Sequence, residues 1–321
     1  MDALTTTPIR VATRRSQLAV TQAQTVADAL SALTSRPAEL VTVTTEGDST
    51  PGSLVSFGGV GVFVGAVREA ILDGRADVGV HSLKDLPTQP HPNLKVAATP
   101  VREDPRDAFC GIDGASLADL PVAATVGTGS PRRASQLRAI RPDLNVIDIR
   151  GNVDTRLHRV TSGDLDAVVL AAAGLTRLGR ESAITQRLEA DQMLPAPGQG
   201  ALAVEARVSV ELDDPDLHKA LSRLDDFSTH AAVDAERAVL NALQAGCTAP
   251  VGALATVTPD TTKTNEESEI HLQAMAASVD GSQVIRMSIT GAVGNAEELG
   301  RELASQLLAA GAAGLLGEPA Q

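Results

Sequence analysis

The sequence predicts an α/β protein of two similar units followed by a smaller α+β domain. Three observations carry this expectation. Strand-period and helix-period segments alternate through residues 9–81, and the same alternation restarts near residue 123. After residue 250, strand-period segments follow one another with no helix between them. The 321 residues, 43% of them hydrophobic, suffice for two or three domains with cores of their own.

Each element has its own warrant. Residues 9–13 read as a short buried strand. Within 16–33, Leu18, Val26, Ala29, Leu30 and Leu33 recur at helical spacing. Residues 40–44 are β-branched and read as a second strand, 64–72 as a helix and 76–81 as a third strand. This order implies a parallel sheet covered by helices. The glycine-rich stretch up to Gly61 reads as a mobile loop. After a charged, proline-containing connection at 102–107, strands are expected at 123–127, 144–149 and 166–171, with helices at 130–140 and 152–161. Leu194-Pro195-Ala196-Pro197-Gly198-Gln199-Gly200 reads as a hinge, and 200–205 as a strand returning to the first sheet. Helices are expected at 214–224, 229–245 and 296–310, and antiparallel strands at 251–257, 271–279 and 284–290 with an Asp280-Gly281 turn. The expected domains are 1–102 with about 200–220, then 103–199, then 221–321.

Composition narrows the function. Lys plus Arg is 27 and Asp plus Glu is 40, a net charge of −13, so nucleic acid is not an expected partner. Trp and Tyr are absent, and Phe57, Phe63, Phe109 and Phe227 are the only phenylalanines. That removes base-stacking platforms, Trp or Tyr interface anchors and membrane aromatic belts. Uncharged runs at 49–67 and 238–259 are interrupted by turn-forming and polar residues, and neither reads as a membrane span. The opening MDALTTTPIRVATRR has no apolar segment of the signal-peptide kind. Two cysteines, Cys110 and Cys247, suit a reduced cytoplasmic compartment better than a disulfide framework. No Cys/His spacing suggests a metal site.

Three stretches can carry chemistry. In Val126-Gly127-Thr128-Gly129-Ser130-Pro131-Arg132-Arg133 a strand ends in small residues, Ser130 caps the next helix, and two arginines stand beside exposed helix N–H groups. This is either an anion site or a capped helix with solvated arginines. Between 126 and 160 lie seven arginines (132, 133, 138, 141, 150, 156, 159) and three aspartates, a local excess of +4 that favours the anion site. Arg150 falls at the end of an expected strand, where open α/β sheets bind ligands. A ligand with several carboxylates or phosphates fits, and no GxxxxGK[ST] points to a nucleotide. In DVGVHSLKDLPT, residues 77–88, a buried strand runs into Lys84 and Asp85. These are either a paired anion binder and cation stabiliser or a surface ion pair of small worth. His81 reads as a hydrogen-bonded core residue. In Ala245-Gly246-Cys247-Thr248-Ala249-Pro250 the cysteine follows a helix end, as an exposed nucleophile or a buried inert thiol; Cys110, beside Phe109, reads as the latter.

The segments IRVATRRSQLAVTQA, ADVGVHSLKDLPT, REDPRDAF, VGTGSPRR, IRGNVDTRL, AGLTRLG, LPAPGQGALAVEAR and ERAVLNALQAGCTAPVG occur in the order found in one family. Over about residues 9–252 the chain closely resembles porphobilinogen deaminase, also called hydroxymethylbilane synthase. The resemblance implies two α/β domains like the halves of a type II periplasmic binding protein, and a small α+β domain that supplies a cysteine. It implies a transferase of tetrapyrrole (haem) biosynthesis with a dipyrromethane cofactor attached covalently through Cys247. Four porphobilinogen molecules then lose ammonia and join this primer, and linear hydroxymethylbilane is released by hydrolysis without a metal. Asp85 resembles the catalytic aspartate, with Lys84 beside it. Lys84, Asp85, Thr128, Ser130, Arg132, Arg133, Arg150 and Gln199 match cofactor-binding positions. Arg14, Ser16, Phe63, Ser82, Arg150, Arg156 and Arg177 match substrate-binding positions. A cytoplasmic monomer is the family expectation.

Two departures matter. A family segment of the form GGKGLFVKE here reads GGVGVFVGA, with Val60 and Gly65 in the lysine places, so lysine contacts from it are not carried over. The usual GGC reads Ala245-Gly246-Cys247. The alternative function is a non-enzymatic two-domain protein that captures a polycarboxylate. It leaves Cys247 and the Lys84–Asp85 pair unexplained.

Overall fold

Strand Ile9–Arg14 (β1) opens the first sheet, and Ser16 caps the helix that follows, Gln17–Thr34 (α1), its Oγ accepting from Ala19 N at 3.3 Å. The computed structural model describes residues 7–44, 61–245, 249–258 and 264–316. The expected loop before Gly61, with Val60, and Cys247 lie outside them.

Ala38–Val43 (β2) runs parallel to β1. Helix Gly61–Leu72 (α2) leads to Val78–Ser82 (β3), also parallel to β1, and Leu94–Ala98 (β4) follows. The chain then builds Asp107–Gly111 (β5), Thr125–Gly127 (β6), Pro131–Ile140 (α3), Asn145–Ile147 (β7), Val153–Thr161 (α4), Ala167–Ala171 (β8), Ala172–Arg177 (α5) and Gln186–Leu188 (β9). Leu202–Arg207 (β10) returns to the first sheet, as the sequence predicts, and Val210–Asp213 (α6), Pro215–Leu224 (α7) and Phe227–Ala242 (α8) follow. Val251–Thr258 (β11), Glu269–Ala277 (β12) and Val284–Ala292 (β13) form an antiparallel sheet, closed by Ala296–Ala309 (α9) and Ala312–Leu316 (α10).

The two five-stranded sheets share one design. Their orders are β2-β1-β3-β10-β4 and β7-β6-β8-β5-β9. Three strands of each are parallel, and the next position is filled by an antiparallel strand, β10 or β5, that follows a crossover. Two α/β units, as the sequence predicts, are thus present with one shared topology. The chain folds as two compact units, Met1–Arg102 with Ala201–His230, and Glu103–Gly200 with Ala231–Gln321. The second unit holds both the β5–β9 sheet and the three-stranded sheet. Residues 220 and 221, where the expected third domain begins, fall inside α7.

Packing follows the alternation of each strand. In the first unit, Val11, Val78, Val80 and Val204 pack against Val26 and Leu30 of α1 and Leu217 and Leu221 of α7. On the other face Ala12 and Val43 meet Val67 and Ala70 of α2. That helix lies so close to β3 that a Cβ on Gly79 would stand 2.6 Å from Val67 Cγ1 and 2.8 Å from Ile71 Cδ1. In the three-stranded sheet, Leu272, Ala274 and Ala276 pack on Ala235 and Val239 of α8 and Leu303 and Leu307 of α9. Among the described residues no helix is long and apolar enough to cross a membrane.

Gly79→Ala is expected to destabilise the fold by about 1–3 kcal/mol through overpacking against α2, read as a lower urea midpoint. An unchanged midpoint would contradict this seating of the helix.

Candidate active site

The chain leaves β6 through Thr128 and Gly129 and enters α3. Gly129 has no room for a side chain, since a Cβ would lie 2.6 Å from Ile149 O. Thr128 Oγ1 accepts from Ser130 N at 3.2 Å, and Ser130 Oγ caps the helix by accepting from Arg133 N at 3.5 Å. Arg132 and Arg133 are buried rather than solvated. Both turn to Asp107, the first residue of β5, whose exposure is 0%. Arg132 Nη1 donates to Asp107 Oδ2 at 2.7 Å, and Arg133 Nε to Oδ1 at 2.8 Å. Gln199 Nε2 donates to Oδ1 at 2.9 Å. Arg132 Nη1 also reaches Leu194 O at 2.7 Å, and Arg133 Nη1 reaches Val169 O at 3.0 Å.

The electrostatics of this cluster follow from its count of charges. Burial pushes the Asp107 carboxyl up, but the guanidiniums of Arg132 and Arg133 outweigh burial and hold it well below the usual carboxylate range. Two guanidiniums face one carboxylate, so a positive excess remains. Nε of Arg132 and Nε of Arg156 are buried with no hydrogen-bond partner among the described residues. Arg156 stands on α4, which Asn152 caps by accepting from Thr155 N at 2.8 Å. Burial lowers the Arg156 pKa, Arg133 and Arg150 lower it further, and Asp148 opposes them. The strand expected at 144–149 is shorter, Asn145–Ile147, and Arg150 sits in the loop beyond it, exposed, with Nε 3.4 Å from Asp148. A cofactor bearing several carboxylates fits these crowded guanidiniums and their unpartnered nitrogens. Arg177, at the end of α5, donates through Nη2 to Gly200 O at 2.7 Å, which ties it to the hinge run.

In the first unit Arg14 and Ser82 close β1 and β3 at the carboxyl edge of the sheet. A single 3₁₀ turn, Leu83–Asp85, then presents Lys84 half-buried and Asp85 exposed. Leu83 N donates to Ala201 O at 3.0 Å, and Ser82 Oγ to Gln22 Oε1 at 3.1 Å. Ser16, at the same edge, uses its hydroxyl to cap α1. His81 is buried, as its strand position predicts, with Nε2 lying 3.0 Å from Glu205 Oε2 and approaching off the ring N–H axis.

The structure thus gathers Arg14, Ser16, Ser82, Lys84 and Asp85 at one sheet edge. It gathers Thr128, Ser130, Arg132, Arg133, Arg150, Arg156 and Gln199 about another, each group within its own unit. The Phe63 side chain lies outside the described residues. Cys110 is buried, its thiol pushed up to about 12 by burial although Arg133 pulls the other way, so it is inert. Asp107 and Glu205 were given no role by sequence reasoning, although both lie in motif segments. For Glu205 the signal was a charge inside an otherwise apolar strand; Asp107 was masked by the charged connection at 102–107. Among the described residues no group of His, Cys, Asp or Glu is arranged to hold a metal ion.

Open α/β sheets, one with an arginine-rich carboxyl edge and one with an exposed acid at its edge, suit a protein that handles small polycarboxylates. The family model "Porphobilinogen deaminase, dipyromethane cofactor binding domain" matches residues 9–213, and "Porphobilinogen deaminase, C-terminal domain" matches residues 230–309. Porphobilinogen deaminase 1 of Streptomyces coelicolor is 52% identical over 99% of this chain and 100% of its own. The porphobilinogen deaminase of Nocardia farcinica is 54% identical over 99% and 90%, and that of Mycolicibacterium paratuberculosis 53% over 96% of each. The chain belongs to the porphobilinogen deaminase family, and is a transferase. A periplasmic sulfonate-binding protein of Methylobacillus flagellatus aligns over 70% of this chain and 67% of its own, at 13% identity and a TM-score of 0.40.

Asp107→Asn is expected to cost about 3–5 kcal/mol, because it strands two buried guanidiniums, with urea unfolding as the measurement. The pH dependence has a definite sign. The folded Asp107 pKa lies below its unfolded value of 3.8, so the stabilisation is complete above 3.8 and is lost as pH falls below it. An acid-unfolding midpoint unchanged by the substitution would rule this out.

Proposed function

We propose that the chain condenses four porphobilinogen molecules onto a dipyrromethane primer, with loss of ammonia, and releases hydroxymethylbilane by hydrolysis, as a cytoplasmic monomer. What supports this is the chain's family membership together with the buried guanidiniums of Arg132 and Arg156, whose Nε atoms have no hydrogen-bond partner among the described residues. Each porphobilinogen brings an acetate and a propionate, and such carboxylates suit these guanidiniums. Bound dipyrromethane supplies an electron-rich pyrrole carbon to which the first new unit is joined.

The chain's own residues have separate tasks. Cys247 holds the primer through a thioether. Arg132, Arg133, Thr128, Ser130, Gln199 and Lys84 bind its carboxylates and fix its orientation. Arg14, Ser16, Ser82, Arg150, Arg156, Phe63 and Arg177 receive the substrate. Asp85, exposed on its turn, offsets the positive charge that develops on porphobilinogen as ammonia leaves, and then takes the pyrrole proton. A polycarboxylate carrier gives no use to Asp85 or Cys247, and the chain's family membership sets it aside.

Intact-mass measurement of the purified protein tests the reading. A surplus of two pyrrole units, absent from Cys247→Ala, is expected, and a mass equal to the bare sequence counts against it. Asp85→Asn should keep that surplus while turnover drops by about 10²–10⁴-fold. Near-normal ammonia release from porphobilinogen in that variant removes the assignment of the acid.

A further inference from the structure

A one-turn 3₁₀ helix is a poor platform for a reacting carboxylate, because its hydrogen bonding is weak and it has no length. Within the turn that carries Asp85, Leu86 N donates to Leu83 O at 3.0 Å. The rigidity of Asp85 is therefore imported from β3. Two of its anchors are described above, from Ser82 to α1 and from Leu83 to the residue before β10. A third lies on the opposite face of the sheet and is ionic.

Glu205 stands on β10 opposite Gly79 of β3, diagonal to His81. Arg68 of α2 clasps it with a guanidinium fork, Nε to Oε2 at 3.0 Å and Nη2 to Oε1 at 2.8 Å. His81 Nε2 faces Oε2 from the other side. The side chains of Glu205, His81 and Arg68 are 3%, 4% and 15% exposed. Gly79 permits this meeting, because any side chain there would push α2, and Arg68 with it, off the sheet. Burial pushes the Glu205 carboxyl up, but the His81 ring nitrogen and the Arg68 guanidinium beside it outweigh burial and bring it down to about 2, so it is ionised across the neutral range.

We propose that Arg68, Glu205 and His81 are positioning residues for Asp85: a buried clasp, an ion pair between Arg68 and Glu205 packed against the His81 ring, that locks β3 to α2 and β10 and so fixes where the turn after β3 presents its carboxylate. An apolar filling would hold the volume with less directional constraint, whereas a bidentate fork fixes register and angle together. The proposal rests on the function given above, because it assigns Asp85 the reacting carboxylate.

The test uses full-length, cofactor-bearing protein with Arg68→Met, Arg68→Lys and Glu205→Gln, assayed well below each variant's melting temperature. Arg68→Met and Glu205→Gln should lower kcat about tenfold or more, since small misplacements of a reacting group have effects of that order. KM should stay within about twofold and the covalent mass surplus should be complete, because substrate and primer contacts are untouched. Arg68→Lys, which keeps the charge, should recover part of the loss. If Glu205→Gln does not fold, the two Arg68 variants at the partly exposed end of the clasp decide the matter. Unchanged kcat in Arg68→Met overturns the proposal, as does a kcat loss that only tracks the unfolded fraction. Wild-type protein without adduct or ammonia release would instead sink the functional reading itself.

Discussion

Asp107 has no contact with solvent, yet it stays charged, and the second unit is organised around that fact. Arg132 and Arg133 are consecutive residues on a helix, which places their side chains about 100° apart. They converge only because a carboxylate sits where both can reach it, at the start of an antiparallel strand beside the helix N-terminus. The same carboxylate receives Gln199 from the hinge run, and Arg132 takes the carbonyl of Leu194 from its other end. The hinge in turn seats the three-stranded sheet: Ala253 N donates to Pro195 O at 3.0 Å, and Glu236 of α8 accepts from Gly198 N at 2.6 Å. Sheet, helix and connecting run therefore share the Asp107 carboxylate, and the run passes the connection on to the three-stranded sheet through Pro195 and Glu236.

The first unit repeats the device with different residues. Its inserted strand also carries a buried acid, Glu205, and that acid also grips an arginine from a neighbouring helix. The clasp of the second unit lies near the carboxyl edge of its sheet, and that of the first, opposite Gly79, lies deeper within its sheet; the loops at both edges are short and irregular. Those loops have little stiffness of their own. Ionic clasps within the sheet give them a fixed foundation without occupying the edge itself. Arg150 and Arg156 stand in a loop and on a helix of the second unit, with Asp148 beside them.

Much of this was legible in the sequence because the signals were local. Apolar spacing gave α1, alternation gave the three antiparallel strands of the last hundred residues, and Pro-Gly clustering gave the irregular run at 194–200. The short strands β4 and β9 were not expected, since each pairs only with an inserted strand that is distant in sequence. The arginine excess was legible as a count of charges. What the count hid was its division: Arg132 and Arg133 are tied to Asp107, while Arg150, written with the same letter, is exposed near Asp148. His81 showed itself as a buried strand residue, but its partners Arg68 and Glu205 come from other elements, and no spacing rule connects them. Burial and partner are properties of topology, which periodicity does not encode.

The inserted strand β10 also sets an order of assembly. Among the described residues β4 has β10 as its neighbour in the sheet and no other, and β3 lacks its antiparallel neighbour until the same residues arrive. A growing chain that has reached residue 200 already contains every strand of the β5–β9 sheet, but not the first one's next-to-last strand. The sheet begun first is thus finished second, and the turn bearing Lys84 and Asp85 waits on residues translated more than a hundred positions later. The chemistry of the N-terminal segment is completed only after the intervening unit has been made.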